Sequence, residues 1–262
     1  MTGFTLFRRV GAGALYTFLL APLVFVIVVS FNGGTTPKFP PEGFSLQWYG
    51  VALSNPNFTG SALTSLVLAT AATMVGTPLG VAAAFGIARG RFPGKGFLEA
   101  VFLSPLIVPG IVIGVALLVS LASIGLRDAP IRLLIGHVLL ILPYVLRTTL
   151  AGLASFDRAV EEAAVTLGAG RAQVLWHVTL PALRPAILAG AAFGFIISFD
   201  DAAVSIFLID AHATTLPLAI MSYMQYNFDP SIAAISSMLI ALTLAGAVFI
   251  ERGFGLKRFL GN

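Results

Sequence analysis

The 262-residue sequence contains no cysteine, which excludes both disulfides and thiolate metal sites. Charge is almost as scarce: 10% of residues are Asp, Glu, Lys or Arg, where soluble domains carry about 25%. Histidine occurs only at His137, His177 and His212, far apart and without the HExxH spacing that sets two metal ligands on one helix face. No serine sits in a G-x-S-x-G elbow. The segment GRFPGKGF comes nearest to a phosphate loop. It is one residue short between Gly90 and Gly94, and Gly96 stands where the Mg2+-binding hydroxyl belongs, so it reads as a basic turn. These absences leave no soluble enzyme chemistry to assign, and a net charge of +4 gives no reason to expect a nucleic-acid partner.

What is present is apolar. Hydrophobic residues make up 58% of the chain and the mean hydropathy is +0.97, which reads as an integral membrane protein. The 21 Phe and 27 Gly suit packed membrane helices, in which glycine lets backbones approach. An all-α polytopic fold is expected, with apolar runs near 11–31, 62–88, 98–122, 131–151, 182–209 and 232–250 as six spans. The first run is too long for a signal-peptide core and is read as a retained helix. Of the 15 Lys and Arg, only Lys38, Arg127 and Arg132 fall on one side of this arrangement. The crowded side, which includes both termini, is expected to be cytoplasmic. No internal repeat or soluble segment interrupts the chain, so residues 1–262 are read as a single membrane domain.

One polar stretch stands out, EEAAVTLGAGRAQVLWHVTLP from Glu161 to Pro181. Asp157 can cap a helix whose first turn carries Glu161 and Glu162. Gly168 or Gly170 can end that helix in the left-handed conformation. A second short helix is expected over RAQVLWHVTL, closed by Pro181. On composition alone, this is either a hairpin resting on lipid or a surface where another protein approaches.

The spacing adds a resemblance. Glu162-Ala163-Ala164, three residues, Gly168, nine residues, Val178, one residue, then Leu180-Pro181 is similar to the cytoplasmic-loop motif of ABC importer permeases, with Val where Ile is commoner. LYTFLLAPLVFVIVVSFN, LSPLIVPGIVIGVALL and ISFDDAAVSIFL resemble the inner-membrane permeases of spermidine/putrescine importers, of the second-permease type. The resemblance implies a bacterial inner-membrane subunit that forms half of a translocation pathway for a small cationic solute. It implies a second permease, two ATPase subunits and an extracytoplasmic binding protein as partners. ATP and Mg2+ would sit on the ATPases, with no cofactor on this chain. Residues 155–181 would form the coupling loop, with Glu162, Ala163, Ala164, Gly168, Leu180 and Pro181 as its ATPase-coupling positions. Another amine-bearing or small organic solute is the alternative cargo. A secondary transporter would be expected to show inverted repeats with matching broken helices, and a membrane enzyme would need clustered catalytic groups beyond Asp200-Asp201.

Two further stretches are candidates for the substrate path. Through SFDDAAVS and the residues before it, Gly190, Gly194, Ser198, Asp201 and Ser205 follow helical spacing and predict one small, polar stripe. Asp201 is expected to face the pathway and Asp200 to lie about 100° round the helix. An ionised Asp near a membrane centre costs about 2.5–3.5 kcal/mol, so neither should face lipid. LPLAIMSYMQYNFDPS is expected near the outer mouth, in the substrate path or in binding-protein docking, with Tyr223, Tyr226 and Asp229 offering aromatic and acidic contacts to an organic cation.

Overall fold

A computed structural model describes residues 2–211 and 213–254, with side chains described for 7–211 and 213–246. His212, Lys257 and Arg258 of the sequence reading lie outside the described residues, as does the side chain of Arg252. The expected all-α class holds: among the described residues the one departure from helix and loop is an isolated bridge between Asn32 and Phe44. The chain packs as two compact units, residues up to Thr59 with those from Ile220 onward, and Gly60–Ala219.

In the first unit α1 (Thr2–Ser30) and α2 (Gln47–Ser54) both pack on α11 (Ser231–Phe254). A hydroxyl bridge fixes that contact. The Tyr49 hydroxyl lies 2.7 Å from Ser30 Oγ and 2.8 Å from Ser237 Oγ. The loop after α1 folds around the fully buried Asn32. Its Oδ1 accepts from the amides of Gly34 and Glu42, and its Nδ2 donates to the Thr36 carbonyl. Most of α1 presents Phe, Leu, Val and Tyr side chains outward, including Phe18 and Tyr16, as expected of a helix whose solvent is lipid.

The second unit is built round α6 (Ala129–Ser155). Leu133, His137, Ile141, Val145 and Leu146 on this helix are all at most 1% exposed. Two neighbours reach it through glycine. On α3 (Pro56–Arg89), Gly76 and Gly80 face Ile141 and Val145. On α9 (Leu180–Asp200), a Cβ at Gly190 would lie 2.8 Å from the Val145 Cα, and one at Gly194 would lie 2.6 Å from the Ile141 Cγ2. Without a hydrophobic drive between helices inside a bilayer, such close contact is what holds them together. The small stripe expected on α9 therefore exists in part, but its glycines pack on α6 of the same chain.

Other expectations need correction. The run 98–122 is not one straight helix. α4 (Lys95–Leu103) continues through a short 3-10 turn at Ser104–Leu106, breaks, and resumes as α5 (Gly110–Ser123) at a bend of 107°. Pro105 and Pro109 account for the break, because neither donates a backbone N–H and Pro109 holds Val108 out of helical geometry. The run 182–209 also stops early. α9 ends at Asp200 and a separate 3-10 turn follows at Ser205–Phe207, so Asp201 and Ser205 do not continue the helical stripe of Gly190 and Gly194. Four described helices are long and apolar enough to cross a membrane, or five with the bent pair as one span. The apolar part of α11 with described side chains, Ser231–Gly246, is shorter.

Candidate functional site

The polar stretch folds as α7 (Ala159–Thr166), a turn, and α8 (Arg171–Val174). Asp157 Oδ1 accepts from the Ala159 amide at 2.9 Å, and Glu161 and Glu162 occupy the first turn of α7, where the helix end favours negative charge. The turn is a Schellman motif. Ala169 N–H donates to the Ala164 carbonyl and Gly168 N–H to the Val165 carbonyl, with Gly168 at φ +91°. The motif glycine is thus the left-handed residue that ends α7, and Gly170 begins α8, its amide donating to Gln173 Oε1.

One expectation fails here: Pro181 does not close a second short helix. The chain runs on from Arg171 to Asp200 as one 30-residue helix. A π turn over Leu175–Thr179 precedes Leu180 and Pro181, and a π turn shifts the carbonyl that Pro181 would leave without a partner.

The turn offers an apolar knob. Leu167 is 89% exposed and Trp176 66%. Leu167, Gly168, Ala169, Gln173, His177 and Val178 line a shallow recess of about 430 Å³. Glu162 and Ala163 are exposed, Ala164 is half-buried, and Leu180 and Pro181 lie at the start of α9.

No Cβ neighbour lies within 4 Å of Gly168, so its constraint within the chain is backbone conformation, not space. Gly168→Ala is expected to lower stability by about 1–2 kcal/mol, the left-handed cost of a Cβ. Gly168→Asn should lose less, since Asn tolerates that region. Thermal unfolding of the purified complex checks both, and equal losses for Ala and Asn would contradict the assignment.

A contact that the sequence reading did not foresee braces α7. Arg89, at the end of α3, donates from Nη1 and Nη2 to Glu161 Oε2 and Oε1 at 2.6 and 2.7 Å. The Thr179 hydroxyl, at the π turn, also donates to Glu161 Oε1. The Arg89 guanidinium sits 5.6 Å from the Phe85 ring centroid. The bidentate Arg89 bond, helped by the Thr179 bond and the charges of Arg89 and Arg158, holds the Glu161 carboxyl below its ordinary pKa against a desolvation that opposes it. The sequence signal was a second acid directly before Glu162, with nothing to tell which basic residue it meets.

The candidates near Asp200 separate. Asp200 is exposed at the end of α9 and forms no hydrogen bond or ion pair among the described residues. Asp201 turns inward. Its Oδ2 accepts from the Ser205 amide at 2.9 Å and the Ser205 hydroxyl at 2.8 Å, and the Val204 amide lies within 3.3 Å of both oxygens. It caps the 3-10 turn: the carboxylate expected to face the pathway is held by Val204 and Ser205, and Asp200 is the exposed acid of the two. Ser205 then meets a fully buried His137, with 2.9 Å from Oγ to Nε2, and Ser198 meets the other side of the ring, with 2.7 Å from Oγ to Nδ1. Because the Ser205 hydroxyl donates to Asp201, it accepts from His137 Nε2–H, and Nδ1 accepts from Ser198. The result is one directed chain, Ser198 to His137 to Ser205 to Asp201, across α6, α9 and the 3-10 turn. The three histidines had suggested only local bonding. That holds for His177, whose Nδ1 is 3.1 Å from the Gln173 carbonyl, but His137 joins residues 61 and 68 positions away.

The last three candidates belong to the first unit. Tyr223, on α10 (Leu216–Tyr226), donates to Asp229 Oδ2 at 2.7 Å and packs its ring on Phe58. Asp229 Oδ1 accepts from the Ser231 amide and hydroxyl, capping α11. Tyr223 and Asp229 therefore form a clasp, while Tyr226 is 84% exposed.

Comparison with known proteins decides what kind of molecule this is. Residues 76–253 match the family described as binding-protein-dependent transport system inner membrane component. The chain belongs to this family. It is similar to the spermidine/putrescine transport system permease protein PotC of Escherichia coli (strain K12), 32% identical over 88% of this chain and 87% of that protein. It is also similar to the putrescine transport system permease protein PotI of the same strain, 32% identical over 86% of this chain and 82% of that protein. Its fold is shared with a chain in the crystal structure of a bacterial ABC transporter involved in the import of the acidic polysaccharide alginate, at TM-score 0.70 and 16% identity over 95% of this chain and 94% of that one. The chain is an ABC importer permease, a membrane-spanning transport subunit and not an enzyme. Permeases of this kind work with a second permease, ATPase subunits and a binding protein.

Proposed function

We propose that this permease forms half of the translocation pathway of an importer for a polyamine of the putrescine or spermidine class. The observation that carries the cargo is the 32% identity, over most of the chain, to permeases named for those amines. The exposed carboxylate of Asp200 supports it, because an unpaired acid at the end of a membrane helix attracts an ammonium group strongly where little water screens it. Tyr226 adds an exposed ring with affinity for organic cations. Ser198, Asp201, Tyr223 and Asp229 serve as supports that hold these surfaces.

Residues 155–181 act as the coupling loop within a single permease domain. Leu167 and Trp176 enter a cleft on an ATPase subunit. Glu162 makes a polar contact beside them, Ala163 and Ala164 keep the approach close, and Leu180-Pro181 join the loop to α9. The ATPases hold ATP and Mg2+, and this chain needs neither. A second permease completes the pathway, two ATPases lie on the cytoplasmic side with both termini of this chain, and the binding protein docks from outside the bacterial inner membrane. The excess of Lys and Arg on the loop side supports this orientation.

Asp200→Asn tests the cargo. The variant complex, reconstituted with its ATPases and binding protein, is expected to assemble and hydrolyse ATP normally while radiolabelled putrescine uptake shows a KM raised about tenfold, the loss of one charge contact of about 1.4 kcal/mol. Unchanged uptake kinetics, or a cognate binding protein that selects anions, would refute the cationic reading.

A further inference from the structure

Beside the Arg89–Glu161 contact lies a cavity of about 470 Å³ lined by Arg89, Arg91, Lys95, Arg158, Glu161 and Glu162, with Ala88 and Gly90 completing the lining. Arg89 is engaged by Glu161. Arg91, Lys95 and Arg158 converge on the same space, and none forms an ion pair with a carboxylate among the described residues. Four basic against two acidic side chains leave the cavity with a positive surplus. Internal salt bridging does not neutralise it, so a ligand is expected to.

The depth of the cavity points to the ligand. Arg89 is the last residue of one candidate span, Pro56–Arg89, and Lys95 the first of the broken span Lys95–Leu106. Two membrane segments therefore end at this cavity, which places it at headgroup level. On α4 itself an apolar surface starts two residues beyond Lys95, with Phe97 75% and Val101 47% exposed. A phosphate held by Arg91, Lys95 and Arg158 would have its acyl chains running along Phe97 and Val101. We propose that this cavity is a binding site for a phosphate group, supplied by the headgroup of an anionic phospholipid. Basic recesses between membrane helices recognise such headgroups through charge and phosphate hydrogen bonds. The site adjoins Glu161, so an occupant would also touch the brace of α7 and couple lipid composition to the coupling loop.

The assembled transporter is reconstituted in nanodiscs of dioleoylphosphatidylcholine, with or without dioleoylphosphatidylglycerol. Native mass spectrometry then counts retained lipid, and acetylation of Lys95 reports occupancy in the wild-type protein with no substitution at all. Retained phosphatidylglycerol and protection of Lys95 in its presence are the expected results. At about fivefold in affinity per basic side chain, the combined Arg91→Gln, Lys95→Gln and Arg158→Gln variant should lose about a hundredfold in retention. Arg91→Lys with Lys95→Arg, which keeps the charge, should retain the lipid. Equal retention by wild-type and neutralised complexes overturns the proposal. If inorganic phosphate protects Lys95 and phosphatidylglycerol does not, the phosphate chemistry stands and the lipid source is overturned. Protection of Lys95 by the ATPase subunits alone, in either lipid, shows that the cations meet an acidic protein surface and overturns the site as a lipid site.

Discussion

Replacing His137 with leucine is expected to lower the melting stability of the assembled permease by about 1–3 kcal/mol, the cost of leaving a buried donor or acceptor unsatisfied, and to raise the KM for putrescine. The residue is fully buried in the helix on which the second unit is built. Leucine fills much the same volume, so a cavity is not the main loss. What goes is the link between two hydroxyls on either side of the ring, at 2.7 and 2.9 Å. Ser198 can turn back to a carbonyl in its own helix, which keeps the penalty moderate, as do the small net energies of hydrogen bonds between membrane helices, about 0.6 kcal/mol on average. Ser205 keeps its donor bond to Asp201 and loses only the proton it accepts from His137, which slackens the 3-10 turn that follows the end of α9. If that turn loosens, Asp200 is no longer held at a fixed position. His137→Gln keeps a donor and an acceptor on one side chain and should recover part of both losses. A leucine variant with wild-type melting and a wild-type KM would show that the chain of hydrogen bonds neither stabilises the unit nor positions its neighbour.

This chain of groups also marks what a sequence can and cannot disclose. The helices were legible because lipid imposes one requirement, an apolar run of sufficient length, which α3 and α6 meet within about six residues at each end and α1 at its C-terminal end. The loop motif was legible because its glycine has a local cause, a left-handed residue at +91° whose effect depends on nearby backbone alone. The π turn that carries Pro181 into a continuous helix was hidden, since apolar periodicity is the same whether a helix ends or slips by one residue. The break at Pro109 was hidden for the opposite reason: membrane helices often accommodate proline, so its presence did not dictate a bend of 107°. The helical stripe failed at Asp201 and Ser205 because it was extended past a helix end that only tertiary bonding defines. Arg89 and Glu161, 72 residues apart, lie beyond the reach of any spacing rule.

Arg89→Ala is expected to cut uptake about tenfold while ATP hydrolysis continues, a coupling loss within the 1–3 kcal/mol typical of linked sites. Three parts of the chain meet at Glu161: the end of α3 through Arg89, the first turn of α7, and the π turn through Thr179. In the coupling role proposed for residues 155–181, α7 transmits movement only if it is fixed to what must move, and this three-way junction ties it to a membrane helix. The planar fork of arginine makes both bonds to one carboxylate, which lysine cannot reproduce, so Arg89→Lys should fall between the wild type and Ala. Glu161→Gln keeps an acceptor for Thr179 but loses the charge, and should resemble Arg89→Ala. Reversing the pair, Arg89→Glu with Glu161→Arg, is expected to recover part of the coupling. The pH dependence follows from the depressed pKa of Glu161. Its contribution to stability is complete above the ordinary carboxylate range and is lost as pH falls through the lowered folded value. Uptake near neutral pH should therefore be insensitive to this group, and in Glu161→Gln the acid limb of the unfolding curve should flatten. The measurement is putrescine imported per ATP hydrolysed in proteoliposomes, alongside the fraction of ATPase retained on the purified complex. If Arg89→Ala imports the wild-type amount per ATP, the brace is structural only. If its uptake falls only in proportion to lost ATPase subunits, the residue serves assembly, and transmission must run through the exposed turn at Leu167 and Trp176 without it.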